Sequence, residues 1–303
     1  MNTAKDVLDG TARWSCVQSD AIEFLGALPD NSIDLLFTSP PYLEARTYSR
    51  DDVSRKIDQW VPWMMSVITA AAPKVKGLIA VNCEGQTRGY AYQPAPFLLI
   101  ADLYRAGFNL RKPCVYERDG IPGSGGPDWL KNRWEPIVCV TRKGRLPWSD
   151  NTACGHEPKC QAGGAVSHRG KEGLRRSFKT QTRRKQSDER SEYHGQFEGR
   201  AVPDLANPGN IIDCGANTHL GLGNENEAPF PLDLAAFFVK SFCPPNGIVV
   251  DCFSGSGTTC HAAFENGRRF VGCDLRASQV ELCERRLRGV TPSLFVGDET
   301  DAA

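Results

Sequence analysis

The stretch from residue 248 to residue 265 constrains the fold of this chain more than any other. The apolar run 248–250 is typical of a buried strand, and it leads through Gly255 and Gly257 into a helical stretch, Thr258–Glu265. This order of strand, glycine-rich turn and helix is typical of parallel α/β sheets that bind a nucleotide-like molecule at the turn. The two glycines leave room for that molecule to approach the backbone. The sequence therefore predicts an α/β, doubly wound sheet with a ligand site at this glycine turn (residues 251–257).

An acidic residue stands where a ribose would be bound. Asp274 lies nineteen positions after Gly255 and ends the short apolar run 270–273. Its carboxylate could accept hydrogen bonds from ribose hydroxyls. The dinucleotide fingerprint also requires a third small residue, and Cys260 occupies that position. Binding of a nicotinamide dinucleotide is therefore disfavoured.

A second motif, the proline turn (residues 39–42), follows the apolar run 33–37 and Thr38. The hydroxyl of Ser39 and the carbonyl of Pro40 can accept the two protons of an exocyclic amine, and Tyr42 can stack on a flat ring. Pro40 and Pro41 make the turn rigid. The alternative is a proline-rich turn that only closes a strand. The presence of the glycine turn elsewhere in the chain favours the interpretation that the proline turn binds an amine-bearing ring.

Together the two motifs resemble those of the S-adenosylmethionine-dependent DNA amino-methyltransferases, which methylate cytosine N4 or adenine N6. The resemblance covers about residues 14–141 and 208–288. The catalytic motif precedes the cofactor motif, as in the permuted beta group, where a basic target-recognition region separates the two halves. The resemblance implies a mostly parallel, seven-stranded, Rossmann-like sheet. It also implies a catalytic half at 1–141, a target-recognition insertion at 142–207 and a cofactor-binding half at 208–303.

Alternating apolar runs and amphipathic stretches support this architecture. Strands are predicted at 14–17, 33–37, 78–81, 110–116, 137–141, 248–250 and 270–273, and helices at 22–28, 60–72, 97–105, Leu232–Phe242 and Thr258–Glu265. From residue 142 to about residue 207 the periodicity fades while glycine, serine and charged residues increase. The insertion is therefore placed there.

The resemblance assigns further residues to the cofactor. Asp20 matches the acid that accepts a hydrogen bond from the adenine amine, although an aspartate here could also simply cap the following helix. Asp251 faces the methionine part. Residues 228–231 match an Ala-Pro-Phe-Pro segment beside the methionine end, but Asn226 replaces a frequent histidine and an ordinary helix-entry turn is the alternative. The predicted cofactor residues are Asp20, Thr38, Pro229, Phe230, Asp251, Phe253, Ser254, Gly255, Gly257, Thr258 and Asp274.

A basic run (residues 169–185) stands out in a chain whose formal net charge is zero. It contains eight basic residues and a single acid, Glu172. Such a run can neutralise several DNA phosphates, although a solvated linker would have a similar composition. The predicted DNA-binding residues are Arg169, Lys171, Arg175, Arg176, Lys179, Arg183, Arg184 and Lys185.

Cysteine usage and hydropathy predict a cytoplasmic protein. The twelve cysteines are scattered through predicted strands and helices, which favours reduced, buried thiols over disulfides. Cys114 follows a proline, as the nucleophile of cytosine C5 methyltransferases does, but it falls inside a predicted strand and is interpreted as core. No signal-peptide core or membrane-spanning apolar run is present. No metal is predicted, because no standard zinc spacing matches Cys154, His156, Cys160 and His168.

The sequence therefore predicts a site-specific DNA methyltransferase that moves a methyl group from S-adenosylmethionine to N4 of an extruded cytosine. Ser39 indicates cytosine, because in the family an acidic residue at this position usually accompanies adenine N6. An adenine-N6 enzyme, a non-catalytic DNA-binding protein on the same scaffold, and a methyltransferase for RNA or a small molecule are the alternatives. The expected partner is double-stranded DNA. A homodimer and a cognate restriction endonuclease for the same site are left open.

Overall fold

The computed structural model describes residues 2–43, 55–118, 125–157, 205–214 and 230–288, together with the backbone of Ser167–Arg169 and Arg175–Ser177. The helices are α1 Ala4–Leu8, α2 Ala21–Ala27, α3 Ile57–Ala71, α4 Ala95–Arg105, α5 Leu232–Phe242, α6 Thr258–Glu265 and α7 Ala277–Arg288. The strands are β1 Trp14–Gln18, β2 Ile33–Thr38, β3 Val75–Asn82, β4 Gln86–Arg88, β5 Ala91–Gln93, β6 Asn109–Leu110, β7 Cys114–Glu117, β8 Trp134–Thr141, β9 Ser167–Arg169, β10 Arg175–Ser177, β11 Ile211–Asp213, β12 Ile248–Asp251 and β13 Arg269–Asp274.

One large sheet organises the protein, with strand order β1-β13-β12-β2-β3-β8-β7-β11 and β6 paired to β8. Only β8 runs antiparallel to its neighbours within this sheet, so the prediction of a mostly parallel α/β sheet is confirmed. The described sheet has nine strands rather than the predicted seven. The count is higher because the strand predicted at 110–116 is divided into β6 and β7, and because β11, which has three residues, was not predicted. A strand of three residues is too short for an apolar pattern to reveal it.

The two motifs meet because their strands are neighbours in this sheet. Strand β12 pairs in parallel with β2, with Val249 opposite Leu35 and Val250 opposite Leu36. The loops that follow parallel strands gather at the same edge of the sheet. The proline turn and the glycine turn therefore lie side by side, whatever their order along the chain.

Helices cover both faces of the sheet, as a doubly wound fold requires. Successive side chains on a strand point to opposite faces, and in β2 Leu36 belongs to one core while Leu35 and Phe37 belong to the other. The first core contains residues of α1 to α4, and the second contains residues of α5 to α7. In the second core, Phe37 stacks on Phe238 with ring centroids 4.7 Å apart.

The prediction of a single strand at 110–116 is wrong. The chain forms two short strands instead, β6 and β7, which both pair with β8. Pro113 lies between them and has no amide hydrogen to donate to the ladder, which explains the interruption. Cys114 consequently begins β7 and is half-buried against the second core.

The described cysteines are all free thiols, and most of them are buried. Among the described residues, no helix combines the length and apolar character needed to cross a membrane.

Candidate active site

A cavity opens at the carboxyl ends of β1, β13, β12 and β2, where the loops after these four strands meet. Each loop contributes part of the wall, and α3 closes it from the side. The lining residues are Ser19, Asp20, Ala21, Ser39, Pro40, Pro41, Tyr42, Arg55, Trp63, Phe230, Cys252, Phe253, Ser254, Gly255, Thr258, Asp274, Leu275 and Arg276.

The glycine turn is held in a conformation that only glycine adopts without strain. Gly255 and Gly257 have φ angles of 48° and 80°, in the left-handed region. A Cβ atom on Gly257 would lie 2.5 Å from the Sγ atom of Cys283 in α7. The turn therefore keeps its backbone exposed to the cavity at Gly255 and packs tightly against α7 at Gly257.

The carboxylate of Asp274 is hydrogen-bonded to the backbone of this turn. Its Oδ2 atom accepts a hydrogen bond from the backbone N–H of Gly255 at 3.0 Å, and Oδ1 accepts one from the N–H of Arg276 at 3.0 Å. These bonds fix a carboxylate at the cavity wall. Such a group is suited to accept hydrogen bonds from hydroxyls.

Asp251 lies directly beneath the turn and is fully buried. Its Oδ1 atom accepts hydrogen bonds from Thr38 at 2.5 Å and from the N–H of Phe253 at 3.0 Å, and Oδ2 accepts one from Thr259 at 2.6 Å. Burial raises the pKa of Asp251 to about 6, despite these donors. Asp251 and Thr38 therefore join the two motifs from behind the wall rather than lining the cavity.

Asp20 caps a helix and also lines the cavity. Its Oδ1 atom accepts hydrogen bonds from the N–H groups of Ile22 at 2.8 Å and Glu23 at 3.3 Å, so it is the N-cap of α2. It also lines the cavity. The cap fixes the position of a second carboxylate at the cavity wall.

The proline turn is anchored from two sides. The indole N–H of Trp60, a buried residue of α3, donates to the carbonyl of Pro41 at 2.8 Å. The Tyr42 hydroxyl donates a hydrogen bond to Oε2 of Glu135 at 2.7 Å. The side-chain amide of Asn82 donates to the Tyr42 hydroxyl oxygen at 3.2 Å and to Oε2 of Glu135 at 2.9 Å. Burial and the adjacent Glu135 carboxylate raise the pKa of Tyr42 well above its usual value. Tyr42 is therefore a neutral phenol with a fixed ring.

Arg118 completes this support. Its guanidinium lies 3.0 Å from Oε1 of Glu135, whose side chain is almost fully buried. A buried carboxylate needs such partners. Sequence reasoning did not identify Glu135 or Asn82, because both lie on strands that carry no motif.

Aromatic rings form the flat walls of the cavity. Phe253 lies against Trp63 with ring centroids 5.3 Å apart, and the guanidinium of Arg55 lies 4.0 Å above the Trp63 ring. Phe230 packs edge-on against Phe37 at 5.4 Å. Sequence reasoning missed Arg55 and Trp63, since Trp63 has the spacing of an ordinary core residue of α3. Only the tertiary packing, which brings Trp63 of α3 against Phe253 in the loop after β12, gives it this position.

Several predicted site residues lie elsewhere. Thr38, Asp251 and Gly257 support the cavity without lining it, and Pro229 lies outside the described residues. In the basic run, Arg169 pairs with Arg175, and His168 with Arg176, on the antiparallel strands β9 and β10. The other predicted DNA contacts fall outside the described residues, namely Lys171, Lys179, Arg183, Arg184 and Lys185.

No cluster of three or more histidine, cysteine or acidic side chains suited to a metal occurs in the described part of the chain. Cys160 is outside it, and only the backbone of His168 is described. The polar side chains that line the cavity include carboxylates, hydroxyls and two guanidinium groups, and they lie beside aromatic rings. This combination suits a flat heteroaromatic ring joined to a ribose.

The sheet order and the cavity define an α/β protein that binds a nucleotide-like cofactor at the carboxyl ends of its strands. The sequence profile of the N6 and N4 DNA methylases matches residues 33–285. The chain belongs to this family of DNA methyltransferases, which confirms the resemblance seen in the two motifs.

Two relatives align with most of the chain, and the name of one of them specifies adenine. The DNA adenine methyltransferase YhdJ of Escherichia coli K12 is 24% identical over 280 residues, covering 92% of this chain and 84% of that protein. The type II methyltransferase M.PvuII of Proteus hauseri is 24% identical over 297 residues, covering 92% and 85%.

Solved structures show the same fold. The PvuII DNA methyltransferase, described as cytosine-N4-specific, superposes with a TM-score of 0.66 at 18% identity, covering 92% of this chain and 89% of that one. A DNA modification methylase from Thermus thermophilus, solved in complex with S-adenosyl-L-methionine, has a TM-score of 0.52 at 22% identity, with coverage of 91% and 94%.

Proposed function

We propose that this DNA methyltransferase transfers the methyl group of S-adenosylmethionine to the exocyclic N4 of cytosine in double-stranded DNA. The observation that carries the proposal is that the proline turn and the glycine turn line one cavity on the adjacent strands β2 and β12. A methyl donor held by one turn would lie beside an amine held by the other.

The described side chains provide matching groups for the donor, which supplies an electrophilic methyl group on a sulfonium. The Asp274 carboxylate accepts hydrogen bonds from the ribose hydroxyls, and the Asp20 carboxylate accepts one from the adenine amine. Phe253 and Trp63 provide apolar faces for the purine ring. The exposed backbone at Gly255 allows close approach.

The target base is extruded from the duplex, because its amine cannot be reached in the stack. Tyr42 stacks on the extruded ring, and Glu135 and Asn82 hold the phenol so that the ring cannot rotate away. The Ser39 hydroxyl and the Pro40 carbonyl accept hydrogen bonds from the two N–H groups of the amine. Localising the nitrogen lone pair in this way makes it a better nucleophile.

Alignment of the two reacting atoms also lowers the barrier. The proline turn is rigid, and Trp60 holds the carbonyl of Pro41 at 2.8 Å. Holding nitrogen and methyl carbon close and in line can supply about 7–11 kcal/mol of the barrier reduction. No covalent enzyme intermediate is required: the new N–C bond would form as the S–C bond of the cofactor breaks, with the demethylated thioether as leaving group and one amine proton released to solvent.

Cytosine is favoured over adenine because Ser39 is a neutral hydroxyl at the position where an acid usually accompanies adenine N6. Mass spectrometry of nucleosides from DNA methylated by the purified protein tests the base. N4-methylcytosine is the expected product. N6-methyladenine as the only product would refute the choice of base, and 5-methylcytosine would refute the mechanism.

The basic run supplies contacts to DNA phosphates in this proposal. Its eight basic residues against one acid would make binding strongly dependent on salt. Duplex DNA rather than RNA is the substrate. Methyl transfer to a duplex of mixed sequence and to RNA of the same sequence separates the two.

A further inference from the structure

A second surface at the same edge of the sheet exposes a group of aromatic and apolar side chains. We call it the aromatic surface, and it is formed by the β4–β5 hairpin, the segment 125–134 and the start of α4. Tyr90 is 75% exposed and Leu130 is 92% exposed. The members are Tyr90, Tyr92, Phe97, Trp129, Leu130 and Trp134.

The aromatic surface is an ordered structure rather than a collection of separate side chains. Tyr90 lies edge-on to Trp129 with centroids 5.7 Å apart, and Phe97 lies edge-on to Trp134 at 6.3 Å. The Glu84 carboxylate, just after β3, accepts hydrogen bonds from the Tyr92 hydroxyl at 3.2 Å and from the Asn132 amide at 3.1 Å. One side chain thus ties the hairpin and the segment 125–134 to the sheet.

The aromatic surface borders the proline turn. Strand β3 ends at Asn82 and β8 begins at Trp134, so both termini lie at the edge that carries the cavity. Glu135, the residue after Trp134, accepts the hydrogen bond from the Tyr42 hydroxyl. The aromatic surface and Tyr42 therefore lie at the same edge of the sheet, linked through neighbouring residues of β8.

Charged side chains interleave with the aromatic ones. Arg88, Lys131 and Arg133 are exposed within the hairpin and the segment 125–134. The nearby acids are Asp128, which is exposed, Glu117, which lies 3.8 Å from Arg133, and Glu84, which accepts the hydrogen bonds from Tyr92 and Asn132. Exposed aromatic rings with cations between them suit a nucleic-acid strand, since rings stack on bases and cations attract phosphates.

We infer that the aromatic surface binds the DNA strand beside the extruded base, with Tyr90 and Trp129 stacking on an unpaired base and Arg88 and Lys131 near phosphates. The inference rests on the proposed DNA methylation. It adds a contact surface separate from the basic run. Large exposed apolar patches on soluble proteins commonly mark such interaction sites.

Paired substitutions test the stacking. Tyr90→Ala with Trp129→Ala should weaken binding of a fluorescein-labelled single-stranded oligonucleotide about fivefold or more, because stacking of one base contributes about 1–3 kcal/mol. Tyr104→Ala is the matched control. Tyr104 is 74% exposed but lies at the far end of α4, at the opposite edge of the sheet. This control should bind the oligonucleotide as the wild type does.

The salt dependence of DNA binding tests whether the cations of the aromatic surface contact phosphates. Arg88→Gln with Lys131→Gln should reduce the slope of log affinity against log salt for a duplex by about 2, since each phosphate contact contributes about 0.9. Lys5→Gln with Arg105→Gln, at the opposite edge, should leave the slope unchanged. Binding of S-adenosylmethionine, measured by calorimetry, should be the same in all variants.

Unchanged affinity for both DNA probes in the paired variants would overturn the inference while leaving the proposed function intact, provided that the wild type methylates DNA. A wild type that binds no cofactor and methylates no DNA would refute the proposed function and this inference with it. The aromatic surface could instead bind a second copy of the chain, and analytical ultracentrifugation tests this alternative. A wild-type dimer that becomes monomeric in Tyr90→Ala/Trp129→Ala with full DNA affinity would also overturn the inference.

Discussion

Replacing Thr38 with valine tests the charge state of Asp251, the carboxylate beneath the glycine turn. Valine keeps the branched shape of threonine but removes the hydroxyl that donates to Oδ1 of Asp251 at 2.5 Å. Both residues are fully buried, so water cannot readily replace the lost hydrogen bond. The cost of the substitution therefore depends on whether the carboxyl group is ionised.

The expected magnitude follows from the pKa. Because the pKa of Asp251 is raised to about 6, its carboxyl group is mostly neutral at pH 5 and mostly ionised at pH 8. A hydrogen bond to a neutral group contributes about 0.5–1.5 kcal/mol and one to a charged group about 1.5–3 kcal/mol. Thr38→Val should lower the free energy of unfolding by about 1 kcal/mol at pH 5 and about 2 kcal/mol at pH 8.

In the wild type, Asp251 makes the stability of the fold depend on pH. Folding raises the pKa of Asp251 above the ordinary value of 3.8, so the folded state binds more protons than the unfolded state between about pH 4 and pH 6. The contribution of this group to stability therefore falls as the pH rises through that range. Above the folded pKa the loss is about 3 kcal/mol. Asp251→Asn should remove this dependence.

Urea unfolding at pH 5 and pH 8, followed by tryptophan fluorescence, measures these effects. Thr69→Val is the control, since the Thr69 hydroxyl donates only to a carbonyl within α3 among its described hydrogen bonds, at 2.7 Å. Its cost should not change between the two pH values. An equal cost of Thr38→Val at both pH values would refute the reasoning. So would a pH-dependent cost that persists in the Asp251→Asn background.

The remaining predictions concern the cavity and the basic run. Gly255→Val should abolish S-adenosylmethionine binding in calorimetry while the protein stays folded, whereas Gly107→Val, which has the same left-handed strain far from the cavity, should bind normally. Ser39→Ala should lower kcat far more than it weakens cofactor binding, and equal losses in both would count against a role in the transition state. Glu135→Gln should lower kcat for methyl transfer with unchanged cofactor affinity, because the anchor of the Tyr42 hydroxyl is weakened. Neutralising Arg175, Arg176, Arg183 and Arg184 of the basic run should weaken DNA binding and make it less dependent on salt, without changing cofactor affinity. An unchanged slope of log affinity against log salt would identify the run as a linker.

Local pattern in the sequence was enough to predict several elements and both motifs. Helices α5 and α6 begin and end at the predicted residues, because helical periodicity and the flanking turn residues are local properties of the chain. The glycine turn could be recognised for the same reason, since left-handed φ angles and close packing both require glycine at fixed positions. The mostly parallel sheet followed from the alternation of strands and helices.

Only the tertiary structure decided which distant residues meet. The hydrogen bond from Thr38 to Asp251 joins residues 213 positions apart, and it depends on β2 and β12 being neighbours in the sheet. The support of Tyr42 by Glu135 and the position of Trp63 in the cavity wall likewise depend on how whole elements pack. The spacing of apolar residues indicates which face of a helix or strand is apolar, but it does not indicate which other element packs on that face. Strand order and side-chain partners were therefore beyond the sequence alone.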